Sequence, residues 1–132
     1  MKSMVILLTL FCISCSADKN LGNGYYLFKD GVFTSIVYTT KLPYRGTGVE
    51  VIPYQVIKTD FNDRYIWAIT LDDKHVVKSY WIIDKNIHIS FADCHDQRSC
   101  DSLLRSNVVG PLDSLSFLNQ LRERDITLKF KQ

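Results

Sequence analysis

Short hydrophobic segments separated by polar residues and glycines run through most of the chain after residue 24. Segments 25–29, 32–40 and 49–58 are rich in valine, isoleucine and aromatic residues, a composition typical of β-strands. Asp30-Gly31 lies between the first two segments, and this dipeptide favours the tight turn of a β-hairpin. Pro53 interrupts the third segment and cannot donate a ladder hydrogen bond, which predicts an edge strand or a bulged strand.

Three more segments, 65–71, 76–83 and 87–91, are separated by short polar turns. We expect them to form three antiparallel strands in sequence order. In 87–91 the apolar residues occupy every second position, so His88 lies on the opposite face. One face of this strand is therefore expected to be buried and the other to meet solvent.

The hydrophobic pattern changes in the last part of the chain. Apolar residues spaced by three and four follow Pro111 and predict a helix around residues 115–121, with Asp113 as its N-cap. Residues 126–130 then alternate between apolar and polar, which predicts a closing strand. Together these elements predict an α+β fold, an antiparallel β meander of about six or seven strands with one C-terminal helix packed on a face. A small β-barrel-like fold is the alternative.

The N-terminal residues have the features of a secretory leader. Lys2 precedes an apolar run over 4–13, which ends at small residues and at Cys15. The run is about half of the ~20 apolar residues that a membrane-spanning helix needs. We therefore expect a cleaved signal rather than a permanent transmembrane helix.

Two cleavage sites compete within the leader. Cleavage before Cys15 would leave a lipidated cysteine, whereas cleavage after Ala17 would release a secreted soluble protein. The lipoprotein interpretation is favoured because Cys15 follows a small residue where the apolar run ends, although Cys12 stands where a lipobox usually has leucine. The predicted organisation is a signal peptide over 1–14, a lipidated tether over 15–24 and a single α+β domain over 25–132.

Composition narrows the choice of partners. The chain has 132 residues, with 16 Lys and Arg against 14 Asp and Glu, so its formal net charge is +2. Charges of both signs alternate along the chain, without the basic stripe that nucleic-acid binding requires. We therefore expect no nucleic-acid partner. From the lipidated cysteine we expect contact with the membrane through the lipid anchor, and the partner is expected to be an envelope or secreted protein.

Two cysteines remain for the exported domain once Cys12 leaves with the leader and Cys15 is acylated. Cys94 and Cys100 are predicted to form a disulfide, which would persist in an oxidising compartment. The alternative is a metal site at Cys94, His95 and Cys100, but zinc sites usually have a second pair of ligands elsewhere, which the sequence lacks. We therefore predict no metal and no cofactor.

The loop closed by this disulfide is the candidate binding site. His95, Asp96, Gln97 and Arg98 would be displayed on a rigid support, as binding residues often are. His75 and His88 fall in a predicted turn and on a predicted solvent face, where solvated polar residues are usual. No catalytic residue is assigned.

Tyr80 and Trp81 are adjacent in a predicted strand and must point to opposite faces. One of them is expected in the core and the other at the surface.

Three motifs resemble a family of small bacterial lipoproteins whose function is unassigned: Gly24-Tyr25-Tyr26-Leu27, Tyr80-Trp81-Ile82-Ile83-Asp84, and Gly110-Pro111-Leu112 with Phe117 in the following helix. The resemblance implies a lipid-anchored single domain and supplies no activity, cofactor or catalytic residues. The favoured function is therefore a non-catalytic envelope binding module. The alternative is a small envelope hydrolase whose histidine and aspartate meet only in the fold.

Overall fold

Two antiparallel four-stranded sheets and two helices make up the part of the chain that the computed structural model describes, residues 18–39, 48–74, 76–86 and 97–128. Sheet A contains β1 (Lys19–Gly22), β2 (Tyr25–Asp30), β3 (Phe33–Tyr38) and β4 (Val49–Glu50), and sheet B contains β5 (Gln55–Phe61), β6 (Tyr65–Leu71), β7 (Lys78–Asp84) and β8 (Val108–Leu112). Helix α1 (Gln97–Ser106) precedes β8, and α2 (Ser114–Glu123) follows it. Within each sheet every strand pairs with its neighbour in sequence order. The antiparallel meander with a C-terminal helix is confirmed, and the barrel-like alternative is wrong because the two sheets do not close on each other.

The predicted hairpin between β2 and β3 is present, but its turn is displaced by one residue. Asp30 pairs with Phe33, so Gly31 and Val32 are the central turn residues. Gly31 has φ 60°, and a glycine at the first central position is characteristic of a type II′ turn. The sequence had instead suggested Asp30 and Gly31 as the central pair.

Pro53 divides the predicted third strand into two strands of different sheets. β4 ends at Glu50 and β5 begins at Gln55, with bends over residues 51–54 between them. Each of the two strands lies at an edge of its sheet, and β5 has an irregular register between Val56 and Lys58. The edge and bulge predictions are thus confirmed, but one predicted strand is two.

Two strands were missed, and they raise the number of described strands to eight. β1 lies in the predicted tether, where only Leu21 is apolar and fully buried. An edge strand needs few inward side chains, so the polar composition of 19–22 concealed it. β8 contains Pro111, which an edge strand tolerates because its outer N–H groups need no ladder partner. β8 lies beside β7, where the strand predicted over 87–91 was expected, and 87–91 lies outside the described residues.

The helices also differ in part from the expectation. Asp113 caps α2 as predicted, because its carboxylate accepts a hydrogen bond of 2.7 Å from the amide of Ser116. α1 was not predicted. Its residue Leu104 is buried, which gives this helix the apolar contact that stabilises it. Residues 126–128 have no regular secondary structure, so the predicted closing strand does not begin there.

The core has two parts, one on each face of sheet B. Between the sheets, Leu27 and Ile36 of sheet A share a cluster with Ile66 and Ile83 of sheet B. On the other face of sheet B, Tyr65 and Ile82 pack against Phe117 and Leu121 of α2, together with Ile126. Sheet B is therefore the middle layer, with sheet A on one side and α2 on the other.

Lys85 is a buried charged side chain that joins the two sheets. It follows β7, is 3% exposed, and donates a 2.6 Å hydrogen bond to the carbonyl oxygen of Leu21 in β1. Its ammonium lies 5.1 Å from the centre of the Phe61 ring. The Asn23 side-chain amide donates to the Lys85 carbonyl at 2.9 Å. Desolvation by burial lowers the pKa of Lys85.

Candidate functional site

The face of sheet B turned away from sheet A, called here the outer face, is only partly covered by α2. Antiparallel pairing aligns the side chains of the four strands in rows across this face. One row contains Lys58, Ile69, Tyr80 and Leu112, and the next contains Asp60, Trp67, Ile82 and Val109. α2 packs over the Ile82 end of this face. Trp67, Ile69 and Tyr80 are half-buried beside α2, and the surface over them is not completely covered.

This surface forms a groove of about 580 Å³. Its floor consists of Trp67, Ile69 and Tyr80 from β6 and β7. Its wall consists of Phe117 and Leu118 from α2, together with Leu128. Its rim is formed by Lys19, Lys58, Thr59, Asp60 and Ser114. The groove is thus an apolar and aromatic trough with a polar margin.

Contacts around the groove hold its aromatic floor in place. The Tyr80 ring lies 5.0 Å from the Phe117 ring, with 32° between their planes. The hydroxyl of Thr59 donates to the backbone carbonyl of Trp67 at 3.0 Å. Leu118 remains 44% exposed although it lies against an apolar floor. The ring contact and the hydrogen bond thus fix the positions of Tyr80 and Trp67.

The rim carries charges of both signs. Lys19 and Lys58 are exposed cations, and the Lys19 ammonium lies 5.1 Å from the centre of the Phe61 ring. Asp60 is the acidic residue among the lining side chains, and its carboxylate accepts a hydrogen bond from the amide of Phe61 at 2.9 Å. The two lysines give the rim a small excess of positive charge.

A groove of this size and composition is suited to binding an amphiphilic ligand. Ligand sites are usually concave, lined mainly by apolar and aromatic side chains with a few polar groups, and about 300–1,000 Å³ in volume. Here the polar groups lie at the margin, and the floor offers hydrocarbon and aromatic surface. Such a site would hold the apolar body of a ligand and leave its polar end at the rim.

A second cavity, of about 360 Å³, lies between β4, β7 and β8. It is lined in part by Glu50, Arg105 and Trp81, and burial raises the pKa of the Glu50 carboxyl by desolvating it. Its described lining residues include no serine, cysteine or histidine that could act with this carboxylate. This cavity therefore offers less chemistry than the groove.

The candidate residues from the sequence lie largely outside the described ranges. This applies to Cys15, Cys94, His95 and Asp96, and also to His75 and His88. The disulfide, the lipidation and the hydrolase alternative accordingly stay predictions.

Gln97, Arg98 and Cys100 lie in α1, so that part of the predicted binding loop is helical. The binding role of His95, Asp96, Gln97 and Arg98 stays a prediction, because His95 and Asp96 lie outside the described residues.

Tyr80 and Trp81 lie on opposite faces of β7, as predicted. Trp81 is buried in the core between the sheets, where its indole N–H donates to the Thr70 hydroxyl at 2.8 Å. Tyr80 points to the outer face and lines the groove. The two side chains are on opposite faces because they are neighbours in a strand.

Sequence reasoning missed the groove, although one signal for it was present. Segment 65–71 is apolar at consecutive positions rather than at alternate ones, a pattern typical of strands covered on both faces. That pattern predicts a second buried face carrying Trp67 and Ile69. It does not predict that α2 would leave part of this face uncovered.

No protein-family model, curated protein or solved structure matches this chain. Among the described residues, no cluster of three or more His, Cys, Asp or Glu side chains could hold a metal ion. Within the same ranges, neither helix is long and apolar enough to span a membrane.

Proposed function

We propose that this protein is an exported, lipid-anchored envelope protein, acylated at Cys15, that acts as a non-catalytic binding module through the groove on sheet B. The leader over 1–14 and the position of Cys15 support the anchor. The groove supports the binding role, for which the sequence alone had indicated residues 95–98.

The observation that carries this proposal is the concave floor of the groove, formed by the half-buried side chains of Trp67, Ile69 and Tyr80. Concave surfaces lined mainly by apolar and aromatic side chains, with a few polar groups, are typical of ligand sites. Here the floor lies on the middle layer of the fold, where Trp67 and Tyr80 are held by the sheet register rather than by a loop. A rigid site of this type reduces the entropy lost on binding.

A groove-blocking substitution tests the binding role. We expect the purified full-length protein to increase the fluorescence of 1-anilinonaphthalene-8-sulfonate, because this probe combines an aromatic body with an anionic group. Ile69→Arg should abolish the increase by placing a charge on the groove floor. Ile57→Arg is the matched control, because Ile57 lies in β5 of the same sheet, is already exposed and does not line the groove. Equal fluorescence from the two variants would contradict the assignment of the binding site.

Metabolic labelling with a fatty acid tests the anchor separately. The wild-type protein should incorporate label and sediment with membranes, whereas Cys15→Ser should do neither. Unchanged membrane retention of the unlabelled variant would show that Cys15 is not the anchor.

A further inference from the structure

One residue that lines the groove is close in sequence to Cys15, the residue that would carry the lipid. Lys19 lines the groove, and Cys15 precedes it by four residues. Four extended residues span at most about 14 Å. An anchor on Cys15 therefore attaches within this distance of the Lys19 backbone.

Contacts with both sheets fix the position of β1, so the distance from Cys15 to Lys19 limits how far the groove can lie from the anchor. Leu21 is fully buried between the sheets, and its carbonyl oxygen accepts the hydrogen bond from Lys85. β1 also pairs with β2 along the edge of sheet A. The domain thus cannot move far from the anchor by releasing its first residues without losing these contacts.

The surface beside the groove has the composition of a membrane-interface surface. Leu115 and Leu118 on α2 are 68% and 44% exposed, and Arg122 follows on the same helical face. Lys19 and Lys58 at the rim add two further cations, against one carboxylate, that of Asp60. Apolar side chains flanked by basic residues are typical of helices and surfaces that lie at a lipid interface.

We propose that the groove faces the bilayer that holds the anchor and takes up one acyl chain of a phospholipid from it. This inference rests on the proposed lipidation at Cys15. The acyl chain lies against Trp67, Ile69 and Tyr80, and the lipid phosphate lies near Lys19 and Lys58. Because the tether is short, the effective concentration of lipid at the groove is high, so even a weak affinity of the groove for lipid is sufficient to fill it.

The two tryptophans of the chain give this proposal a direct readout. Trp67 lies in the groove, whereas Trp81 is 5% exposed in the core between the sheets. Bromine atoms on lipid acyl chains quench tryptophan only at close range. The lipidated full-length protein is placed in phosphatidylethanolamine–phosphatidylglycerol vesicles with brominated acyl chains, and its emission is compared with that of Trp67→Phe.

We expect brominated lipid to remove most of the emission that Trp67 contributes, and to leave the emission of Trp67→Phe, which comes from Trp81, nearly unchanged. Iodide added to the aqueous phase should have little effect on Trp67. Membrane-bound protein whose Trp67 is quenched by iodide but not by brominated lipid would overturn the inference and leave the lipid anchor intact. Absence of fatty-acid label and of membrane binding would instead overturn the proposed function itself.

Charge substitutions test the position of the lipid phosphate. Each basic residue near an anionic lipid surface contributes about 1 kcal/mol, so Lys19→Ala and Lys58→Ala should each lower the ratio of lipid-quenched to iodide-quenched Trp67 about fivefold. Lys74→Ala is the control, because Lys74 is exposed in the β6–β7 turn and does not line the groove. Equal ratios in all three variants would overturn the assignment of the phosphate to this rim.

Discussion

Two leucines of α2 allow a direct test of how this helix lies on sheet B. Leu121 is 3% exposed and packs in the cluster with Tyr65 and Ile82, whereas Leu118 is 44% exposed at the groove. The residues are three positions apart in the same helix. Leucine and alanine have similar helix propensities, so substitution by alanine measures mainly the contacts that each side chain makes.

The magnitudes follow from burial. Complete burial of a leucine contributes about 1.5–3 kcal/mol, and the cavity left by truncation brings the cost in a core to about 2–5 kcal/mol. We therefore expect Leu121→Ala to lower the free energy of unfolding by about 3 kcal/mol. Leu118 has a little over half of its surface covered, and its removal opens space to solvent rather than a closed cavity. Leu118→Ala should consequently cost only about 1 kcal/mol.

Urea unfolding followed by far-ultraviolet circular dichroism measures both values, provided that the dependence on urea concentration is the same for both variants. A threefold difference in cost supports the packing of α2 over the Ile82 end of the sheet. Equal costs would refute it, because Leu118 would then have to be buried as deeply as Leu121. A cost below about 1 kcal/mol for both would show that α2 does not dock on the sheet.

Three further predictions concern stability. The pKa of Lys85 is lower in the folded protein than in the unfolded chain, so the unfolded chain binds the proton of this ammonium more tightly. The free energy of unfolding should therefore rise with pH between the lowered pKa of the folded state and 10.5. Urea titrations across the alkaline range should show this rise in the wild type and not in Lys85→Met. Gly110→Ala would place a Cβ atom 2.6 Å from the Trp81 ring, whereas no atom lies within 4 Å of a Cβ at Gly31. The free energy of unfolding, measured in urea, should therefore fall by about 1–3 kcal/mol more for Gly110→Ala than for Gly31→Ala. Non-reducing peptide mapping of exported protein should find Cys94 joined to Cys100, and reduction should cost about 2 kcal/mol; two free thiols would favour the metal alternative.

The local pattern of the sequence determined several elements correctly. The hairpin of β2 and β3, the pairing of β6 with β7 and the start of α2 at Asp113 each depend on residues close together in the chain. Asn23-Gly24 carried a comparable signal for β1, since both residues have positive φ in the turn before β2. The residues before it are mostly polar, and their composition does not predict a strand.

Long-range packing decided the elements that the pattern left ambiguous. Val49 and Gln55 begin strands of different sheets, although a single apolar segment contains both. α1 forms where a short loop was expected, because Leu104 finds a buried position. For β4 and β5 the deciding contacts are the pairings with β3 and β6.

The groove shows most clearly where sequence information ended. The sequence determined that Trp67, Ile69 and Tyr80 are apolar residues in β-strands, and strand alternation determined the face that each one occupies within its own strand. Only the tertiary structure brought them into one surface, because strand register aligns β5, β6 and β7 and the length of α2 sets how much of that surface is covered. A periodic pattern specifies which side of a strand is apolar, but the neighbour that covers that side depends on packing between distant parts of the chain.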